Sequence, residues 1–251
     1  MNPSNAETSE PEIQVGSLKI NVRQSDDSVV HGLRPEDLLL LEPVAFMAWR
    51  PPACFKNQVN LPGYFWISQT KQFIFYESRL EMAVLKQLDF EEEIAFVVPQ
   101  PFQMSFEFNK RKLHHVPDFL VWRHQKPLLL VNVKPKKFMQ KPNNLLSFAA
   151  CRALTGRIRL EHKVFNEPPP VHFANVRWLA GYRREPYMYS SIAPELVQRL
   201  ADQSLAFGVW VRVEFEESIV RPVAFHLMWK RLVQFDTTTV IDDNSTTWLA
   251  R

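Results

Sequence analysis

Hydrophobic residues recur along this chain with two spacings, one helical and one strand-like. Leu80, Val84 and Leu88 stand at successive fourth positions, which predicts an amphipathic helix within YESRLEMAVLKQLDF. Ser78, three residues before Glu81, gives that helix the form of an N-terminal capping box. Strand-like runs precede and follow the helix. The pattern therefore predicts helices mixed with short strands, an α/β (α+β) fold class.

The other elements follow from the same spacings. The aromatic stretch YFWISQTKQFIFYES predicts short strands, and IAFVVPQPFQMSFEF predicts two strands that are separated by Pro99 and Pro101. NNLLSFAACRALTGRI predicts a second amphipathic helix, and HKVF predicts a strand after it. The three prolines at 168–170 end this run of elements.

Changes in composition divide the chain into three parts. Residues 1–35 are polar and acidic and predict a flexible tail, with at most a short strand at 17–22. Residues 36–186 form the predicted main domain. In residues 187–251, IAPELVQRLADQ predicts a helix and Pro222 the start of another. The alternating LVQFDTTTVIDDNSTTWLA closes this part, so we expect a small winged-helix-like domain.

Composition narrows the class of protein only modestly. The net charge of +3 over 251 residues means that any binding of nucleic acid must use local positive charge. Cys54 and Cys151 lack metal-ligand spacing, which favours free thiols in a reducing compartment. The polar N-terminus does not resemble a signal peptide, and no apolar run reaches the ~18 residues of a membrane span. The sequence predicts a cytoplasmic protein with no membrane partner.

The stretch HHVPDFLVWRHQKPLLLVNVKPKK carries the candidate chemistry. Strand alternation puts Asn132 and Lys134 on one face of an apolar strand. A turn centred near Gln125 would place Asp118 directly across from Asn132, with Cβ atoms ~5 Å apart. The hairpin therefore predicts a carboxylate, an amide and an ammonium group close together.

Such a cluster suits a divalent cation. Mg²⁺ binds few protein oxygens together with waters and phosphate oxygens, and it activates water for attack on phosphorus. A second carboxylate should come from a helix beside the sheet, and Glu81 is the candidate. Each residue also has a structural explanation: Asp118 as a turn cap, Glu81 as a helix cap and Lys134 as a solvated strand end. Asn132 is the hardest to explain in that way, because burying an unpaired amide costs roughly 1–3 kcal/mol.

The motifs resemble a known superfamily. Glu81, Pro117-Asp118 and Asn132-Val133-Lys134 occur in the order typical of PD-(D/E)xK nucleases. Within that superfamily, the chain from Trp49 to the C-terminus is similar to the TnsA-like endonuclease subunits of heteromeric bacterial transposases. The segments that carry this resemblance are YESRLE, VVPQPF, HVPDFLV, VNVKP, NVRWLAGYRR and RPVAFHLMWKRLVQFD.

The resemblance implies a restriction-endonuclease-like core, with a mixed central sheet flanked by helices and followed by a winged-helix-type domain. It implies Mg²⁺-dependent hydrolysis of the 5′ strand at transposon ends, with Mn²⁺ able to substitute. Glu81, Asp118 and Lys134 would be the catalytic residues, and Glu81, Asp118 and Asn132 the metal ligands. Most superfamily members have Asp or Glu where this chain has Asn132, which implies weaker metal affinity.

The partners implied by the resemblance are transposon-end DNA, a DDE-type transposase and an AAA+ ATPase regulator, all in the bacterial cytoplasm at the nucleoid. Two alternatives stay open. One is a catalytically weakened assembly or regulatory subunit of the same complex, and the other is a stand-alone restriction or repair nuclease. The amide at position 132 is the feature that favours the weakened subunit.

Several residues around the motif are predicted to contact DNA. Lys136, Lys137 and Lys141 follow the motif and form a candidate phosphate track, although a solvated basic face is the common alternative. Gln100, in VVPQPF, is assigned to DNA binding as well. His114 and His115 have no Cys or further His at zinc spacing, so packing or phosphate contact is expected for them.

Overall fold

The computed structural model describes residues 13, 17–50 and 61–250, and the chain divides into two compact units. The first unit comprises Met1–Trp66, Phe73–Met82 and Glu93–Glu167. The second comprises Ile67–Gln72, Ala83–Glu92 and Pro168–Arg251. Cys54 and residues 1–12 and 14–16 of the predicted tail lie outside the described residues. The secondary structure confirms a mixed α+β fold class.

Most of the strands belong to the first unit. They are β1 (Lys19–Gln24), β2 (Val29–Leu33), β3 (Phe46–Met47), β4 (Gly63–Ile67), β5 (Gln72–Tyr76), β6 (Ile94–Pro99), β7 (Gln103–Phe108), β8 (Arg111–His115), β9 (Phe119–Arg123), β10 (Lys126–Val133) and β11 (Glu161–Phe165). Helix α1 (Arg79–Glu91) begins in the first unit, and α2 (Pro142–Ile158) joins β10 to β11. The two predicted helices and the predicted strands β4 to β7 and β9 to β11 are present, whereas β2, β3 and β8 were not predicted.

One five-stranded sheet has the order β2-β1-β7-β8, with β3 beside β1. All of its pairings are antiparallel. Its strand β1 lies inside the segment for which the sequence predicts a flexible tail. Ile20 and Val22 are completely buried in the core of the unit. The short strand predicted at 17–22 is therefore present as β1, whereas the prediction of a flexible tail is wrong for β2, which pairs with it.

A four-stranded sheet with the order β11-β10-β9-β6 carries the candidate motif. β6, β9 and β10 pair antiparallel, whereas β10 and β11 pair parallel across the α2 connection. β10 pairs on both edges, and its apolar run is buried. Phe119 pairs with Val131, so the next residues outward, Asp118 and Asn132, are opposite each other, and Gln125 takes a left-handed φ of 55° in the turn. The predicted register is confirmed.

Helix α2 covers one face of the strands in this unit. Cys151 and Leu154 are fully buried, and they belong to one apolar cluster with Leu120 of β9 and Leu130 of β10. The helix ends where Arg159 adopts a left-handed φ of 57°. The chain then enters β11, which pairs parallel to β10.

The second unit is mainly helical. Its elements are α3 (Pro170–Leu179), α4 (Tyr189–Arg199), β12 (Leu205–Ala206), α5 (Phe207–Trp210), α6 (Glu217–Trp229), β13 (Val233–Phe235) and β14 (Thr246–Leu249). β14 is the middle strand of a small antiparallel sheet, between β12 and β13. No helix in the described part of the chain is long and apolar enough to cross a membrane.

Two predictions for this unit differ from the structure. The unit begins at Pro168 rather than after residue 186, because Val176 and Leu179 of α3 are buried in the same apolar cluster as α6. Helix α6 begins at Glu217 rather than at Pro222. Pro222 removes one backbone hydrogen bond, to the carbonyl of Ser218, and Ser218 is exposed near the helix start, where water can replace that bond.

A buried asparagine connects α3 to the β13–β14 loop in the second unit. Asn175 is 2% exposed, and its Nδ2 donates to the carbonyl oxygens of Thr239 at 2.7 Å and Thr237 at 3.3 Å. Its Oδ1 accepts a hydrogen bond from the backbone N–H of Ile241 at 3.1 Å. The loop is therefore held by one side chain that uses both its donor and its acceptor.

We expect Asn175→Ala to lower the free energy of unfolding of the second unit by roughly 1–3 kcal/mol, because loop polar groups lose their partners. Asn244→Ala, at an exposed residue of the same loop, should have little effect. Urea denaturation followed by tryptophan fluorescence measures both. Equal stability of the two variants would show that Asn175 does not hold the loop.

Candidate active site

One cavity of about 1010 Å³ in the first unit brings the predicted catalytic side chains together. Glu81, Asp118 and Lys134 all line it. They come from the first turn of α1, the residue before β9 and the residue after β10. The remaining lining residues are Trp49, Arg50, Leu61, Glu77, Ser78, Arg79, Leu80, Gln103, His114, His115, Val116, Val133, Pro135 and Phe138.

Glu81 is held by the start of α1. Its backbone N–H donates to Ser78 Oγ at 3.2 Å, and Ser78 Oγ donates to Glu81 Oε1 at 2.8 Å. The backbone N–H of Glu77 donates to Oε2 at 2.8 Å. Burial raises the pKa of Glu81, while these hydrogen bonds and the charge of Lys134 oppose that rise. The capping residues thus fix the carboxylate in place and leave lone pairs on both oxygens.

Asp118 is fixed by the strand pair that it begins. Its backbone N–H donates to the carbonyl of Val131 at 3.0 Å, and its Oδ2 accepts from the backbone N–H of Val133 at 2.6 Å. Burial raises the pKa of Asp118 to about 7, and the neighbouring charge of Glu81 adds to that rise. Two carboxyl groups whose pKa values are raised by burial in one cavity form a site that favours a cation.

Lys134 completes the set from the end of β10. Its backbone N–H donates to the carbonyl of Phe165 in β11 at 2.8 Å, which extends the parallel pairing by one residue. Its ammonium charge lowers the pKa of both Asp118 and Glu81, although burial outweighs this effect at each carboxyl group. A cation therefore lies within electrostatic range of both carboxylates.

Asn132 does not join these residues, although it is opposite Asp118 in the sheet. Its side chain is completely buried and does not line the cavity. Its Nδ2 lies 2.7 Å from His115 Nε2, and its Oδ1 lies 3.0 Å from His162 Nε2. The prediction that Asn132 is a metal ligand is not supported, because both ends of the amide already bind imidazole rings.

His162 is the residue of this network that the sequence analysis missed. It lies in β11 and pairs in register with Leu130 of β10. Burial lowers the pKa of His115 and of His162, each to about 4, so both rings are neutral at pH 7. The available signal was the alternation of EHKVF, but the register of a parallel strand after a helix cannot be read from sequence.

The DNA contact predicted for Gln100 is also not supported. Its side chain is 4% exposed, and its Oε1 accepts from Arg50 Nε at 3.3 Å. Its backbone N–H donates to the carbonyl of Asp118 at 2.8 Å, and its carbonyl accepts from the N–H of Trp49 at 2.8 Å. A φ of 45°, rare for residues other than glycine, makes these bonds possible. Gln100 therefore holds Asp118 in position.

The predicted basic residues lie on the surface beyond β10. Lys136, Lys137 and Lys141 are all exposed. The ammonium groups of Lys137 and Lys141 lie 4.8 Å and 4.4 Å from the centre of the Phe138 ring, and Phe138 lines the cavity. Positive charge thus borders the cavity on one side, where it can attract an anionic ligand.

The donor set at the cavity fits Mg²⁺ more closely than a metal that needs many protein ligands. Glu81 and Asp118 supply carboxylate oxygens, the ligands that Mg²⁺ prefers, and Mg²⁺ takes its other ligands from water and phosphate. Among the described residues, no group of three or more His, Cys, Asp or Glu side chains is placed to hold a metal ion. The two carboxylates are therefore the residues that would hold Mg²⁺, without Asn132.

Comparison with known proteins adds no relative from which a function could be carried over. No protein-family model matches this chain, and no curated protein matches it significantly.

We expect Asp118→Asn to make the protein more stable at pH 8, relative to wild type, than at pH 4.5. Because the pKa of Asp118 is higher in the folded than in the unfolded protein, the wild-type free energy of unfolding falls as the pH rises from ~4 to about 7. At ~1.4 kcal/mol per pKa unit, the effect is on the order of 2–4 kcal/mol. The asparagine Oδ1 can still accept from Val133.

Chemical denaturation at both pH values measures this difference. Asp202→Asn, at an exposed aspartate, is the matched control and should give the wild-type pH dependence. An Asp118→Asn curve parallel to the wild-type curve would show that the Asp118 carboxyl group is not perturbed by burial.

Proposed function

We propose that this protein is a Mg²⁺-dependent DNA endonuclease, the TnsA-like subunit of a heteromeric cut-and-paste transposase, which hydrolyses the 5′ strand at transposon ends. The observation that carries this proposal is the presence of Glu81, Asp118 and Lys134 around one cavity. The same three residues carry the PD-(D/E)xK order in the sequence.

The chemistry of phosphodiester hydrolysis matches these side chains. Bound Mg²⁺ would acidify a water molecule and neutralise charge on the phosphate. Glu81 and Asp118 would hold the ion, and their orientation is fixed in advance by the N–H groups of Glu77 and Val133. Hydrolysis adds a water oxygen to phosphorus and breaks one P–O bond of the backbone. The carboxylates would thus already be in position to hold the metal ion when the DNA binds.

Lys134 would act on the charge that develops during this reaction. Its ammonium group lies within electrostatic range of both carboxylates and lines the same cavity. There it can orient the attacking water by hydrogen bonding and stabilise the negative charge of the transition state. A neutral side chain of similar length would fill the same space without either effect.

The topology supports the two finer fold assignments that belong to this proposal. The mixed sheet β11-β10-β9-β6, with α2 packed against it, fits a restriction-endonuclease-like core. In the second unit, the order α4, β12, α5, α6, β13, β14, with β14 between the other two strands, fits a winged-helix-like domain. We propose that this domain contacts the DDE-type transposase or the AAA+ ATPase rather than DNA.

We expect Asp118→Ala and Lys134→Met each to abolish Mg²⁺-dependent or Mn²⁺-dependent nicking of the 5′ strand, because each removes a group that the reaction needs. The assay is strand-specific cleavage of a labelled transposon end, with and without the transposase encoded beside this protein. Asp202→Ala, a matched control at an exposed position, should cut at the wild-type rate.

Full activity of Asp118→Ala would eliminate the nuclease assignment. A wild-type protein that assembles with the transposase but cuts with neither metal would instead favour the catalytically weakened assembly subunit.

We expect Lys137→Ala and Lys141→Ala each to weaken DNA binding and to reduce the slope of log K against log salt concentration by roughly 0.9, the value for one lost phosphate contact. Fluorescence anisotropy with a labelled duplex at several salt concentrations measures the slope. Lys126→Ala, at the opposite end of β10, is the control and should leave the slope unchanged. Slopes that match the wild type in all three variants would place the phosphate track elsewhere.

A further inference from the structure

A chain of three polar side chains lies beside the candidate active site. His115, Asn132 and His162 come from β8, β10 and β11, and the asparagine lies between the two imidazoles. The distances are 2.7 Å to His115 Nε2 and 3.0 Å to His162 Nε2. Asn132 is completely buried, so these two rings rather than water satisfy its amide.

The chemistry of the amide fixes which atom donates and which accepts in each of these two hydrogen bonds. An amide NH₂ only donates hydrogen bonds and an amide oxygen only accepts them. With Nδ2 facing His115, the His115 Nε2 atom must be unprotonated and accept, so the proton of the neutral ring is on Nδ1. With Oδ1 facing His162, the His162 Nε2 atom must carry its proton and donate. Each ring is thereby restricted to one tautomer.

Of these three side chains, His115 is the one that lines the cavity. It lines the cavity together with Glu81, Asp118 and Lys134. No described residue forms a hydrogen bond to its Nδ1 atom. Burial and the charge of Lys134 lower the pKa of His115 to about 4, so the ring is neutral at pH 7. An N–H donor of a half-buried ring that lines the cavity with two carboxylates and a lysine is available for a ligand that brings its own oxygen acceptor.

We propose that His115 is a binding residue that donates its Nδ1–H to a phosphate oxygen of the bound DNA, and that Asn132 and His162 are positioning residues that hold His115 in this tautomer. The phosphate ligand rests on the proposed nuclease function, whereas the tautomers do not. The donor is uncharged, so it orients a phosphate oxygen without adding to the positive charge of Lys134 and Arg50 in the same cavity.

This role explains why an amide suits position 132. An aspartate there could only accept, so His115 Nε2 would need a proton in order to bind it. The ring would then either expose a bare Nδ1 acceptor to the cavity or take up a second proton and become charged. Only a side chain that donates at one end and accepts at the other keeps both imidazoles neutral with these tautomers.

The tautomers can be tested directly on the full chain labelled with ¹⁵N-histidine. Long-range ¹H–¹⁵N correlation spectra at pH 7 should show His115 protonated on Nδ1 and His162 protonated on Nε2. In Asn132→Asp, His115 Nε2 should become protonated. A wild-type His115 that carries its proton on Nε2 would overturn the proposal, and this measurement does not depend on any cleavage activity.

The phosphate contact is tested by adding a short DNA duplex in the presence of Ca²⁺. We expect the ring resonances of His115 to shift while those of His124, exposed in the β9–β10 turn, stay in place. His115→Leu should weaken binding of the same duplex roughly 10-fold or more, as for a lost hydrogen bond to a charged group. His124→Leu is the matched control and should bind like wild type.

The positioning role of His162 is tested by the His115 tautomer and the duplex affinity of two variants. His162→Gln, which keeps an N–H donor for Asn132 Oδ1, should preserve the His115 tautomer and most of the affinity, whereas His162→Leu should lose both. Unchanged duplex binding by His115→Leu would overturn the phosphate contact even if cleavage activity is found. Correct tautomers and a His115 shift in a protein that never cuts would overturn the nuclease assignment alone.

Discussion

The burial of two carboxyl groups, Glu81 and Asp118, in one cavity is the constraint on which the candidate site depends. Burial raises the pKa of both carboxyl groups, and the charge of Glu81 adds to the rise at Asp118. Backbone N–H groups and Lys134 lower the pKa of both carboxyl groups. Burial outweighs them, and the pKa of Asp118 still rises to about 7. A bound divalent cation would favour the charged form of both carboxyl groups. The site is thus arranged at the expense of stability, as is common where chemistry is carried out.

The surrounding structure serves to hold these two groups in place. The β9–β10 register sets Asp118, the cap of α1 sets Glu81, and Gln100 binds the backbone of Asp118 from a strained conformation. The buried amide of Asn132 and its two imidazoles lie beside the same strands. The amide at position 132 therefore has a structural role of its own, the connection of two neutral histidines.

Local patterns in the sequence were sufficient for much of this arrangement. The capping box placed Glu81 at a helix start, and strand alternation with a turn at Gln125 placed Asp118 opposite Asn132. Both features depend on residues close together in the chain, where turn and helix geometry fix the register. The α+β class followed from the same alternation of spacings.

Features that depend on distant residues could not be predicted. His162 reaches Asn132 only because β11 pairs parallel to β10 after a 17-residue helix, and helix length does not set strand register. The buried position of Gln100 depends on Arg50 and Asp118, far away in sequence. The start of the second unit at Pro168 likewise depends on packing between α3 and α6.

The most direct measurement of the central claim is the location of a bound metal ion by anomalous X-ray diffraction from crystals soaked in Mn²⁺. We expect an anomalous peak in contact with carboxylate oxygens of both Glu81 and Asp118, with the side chain of Asn132 still bound to His115 and His162. A protein that binds Mn²⁺ elsewhere, or through Asn132 in place of these carboxylates, would contradict it.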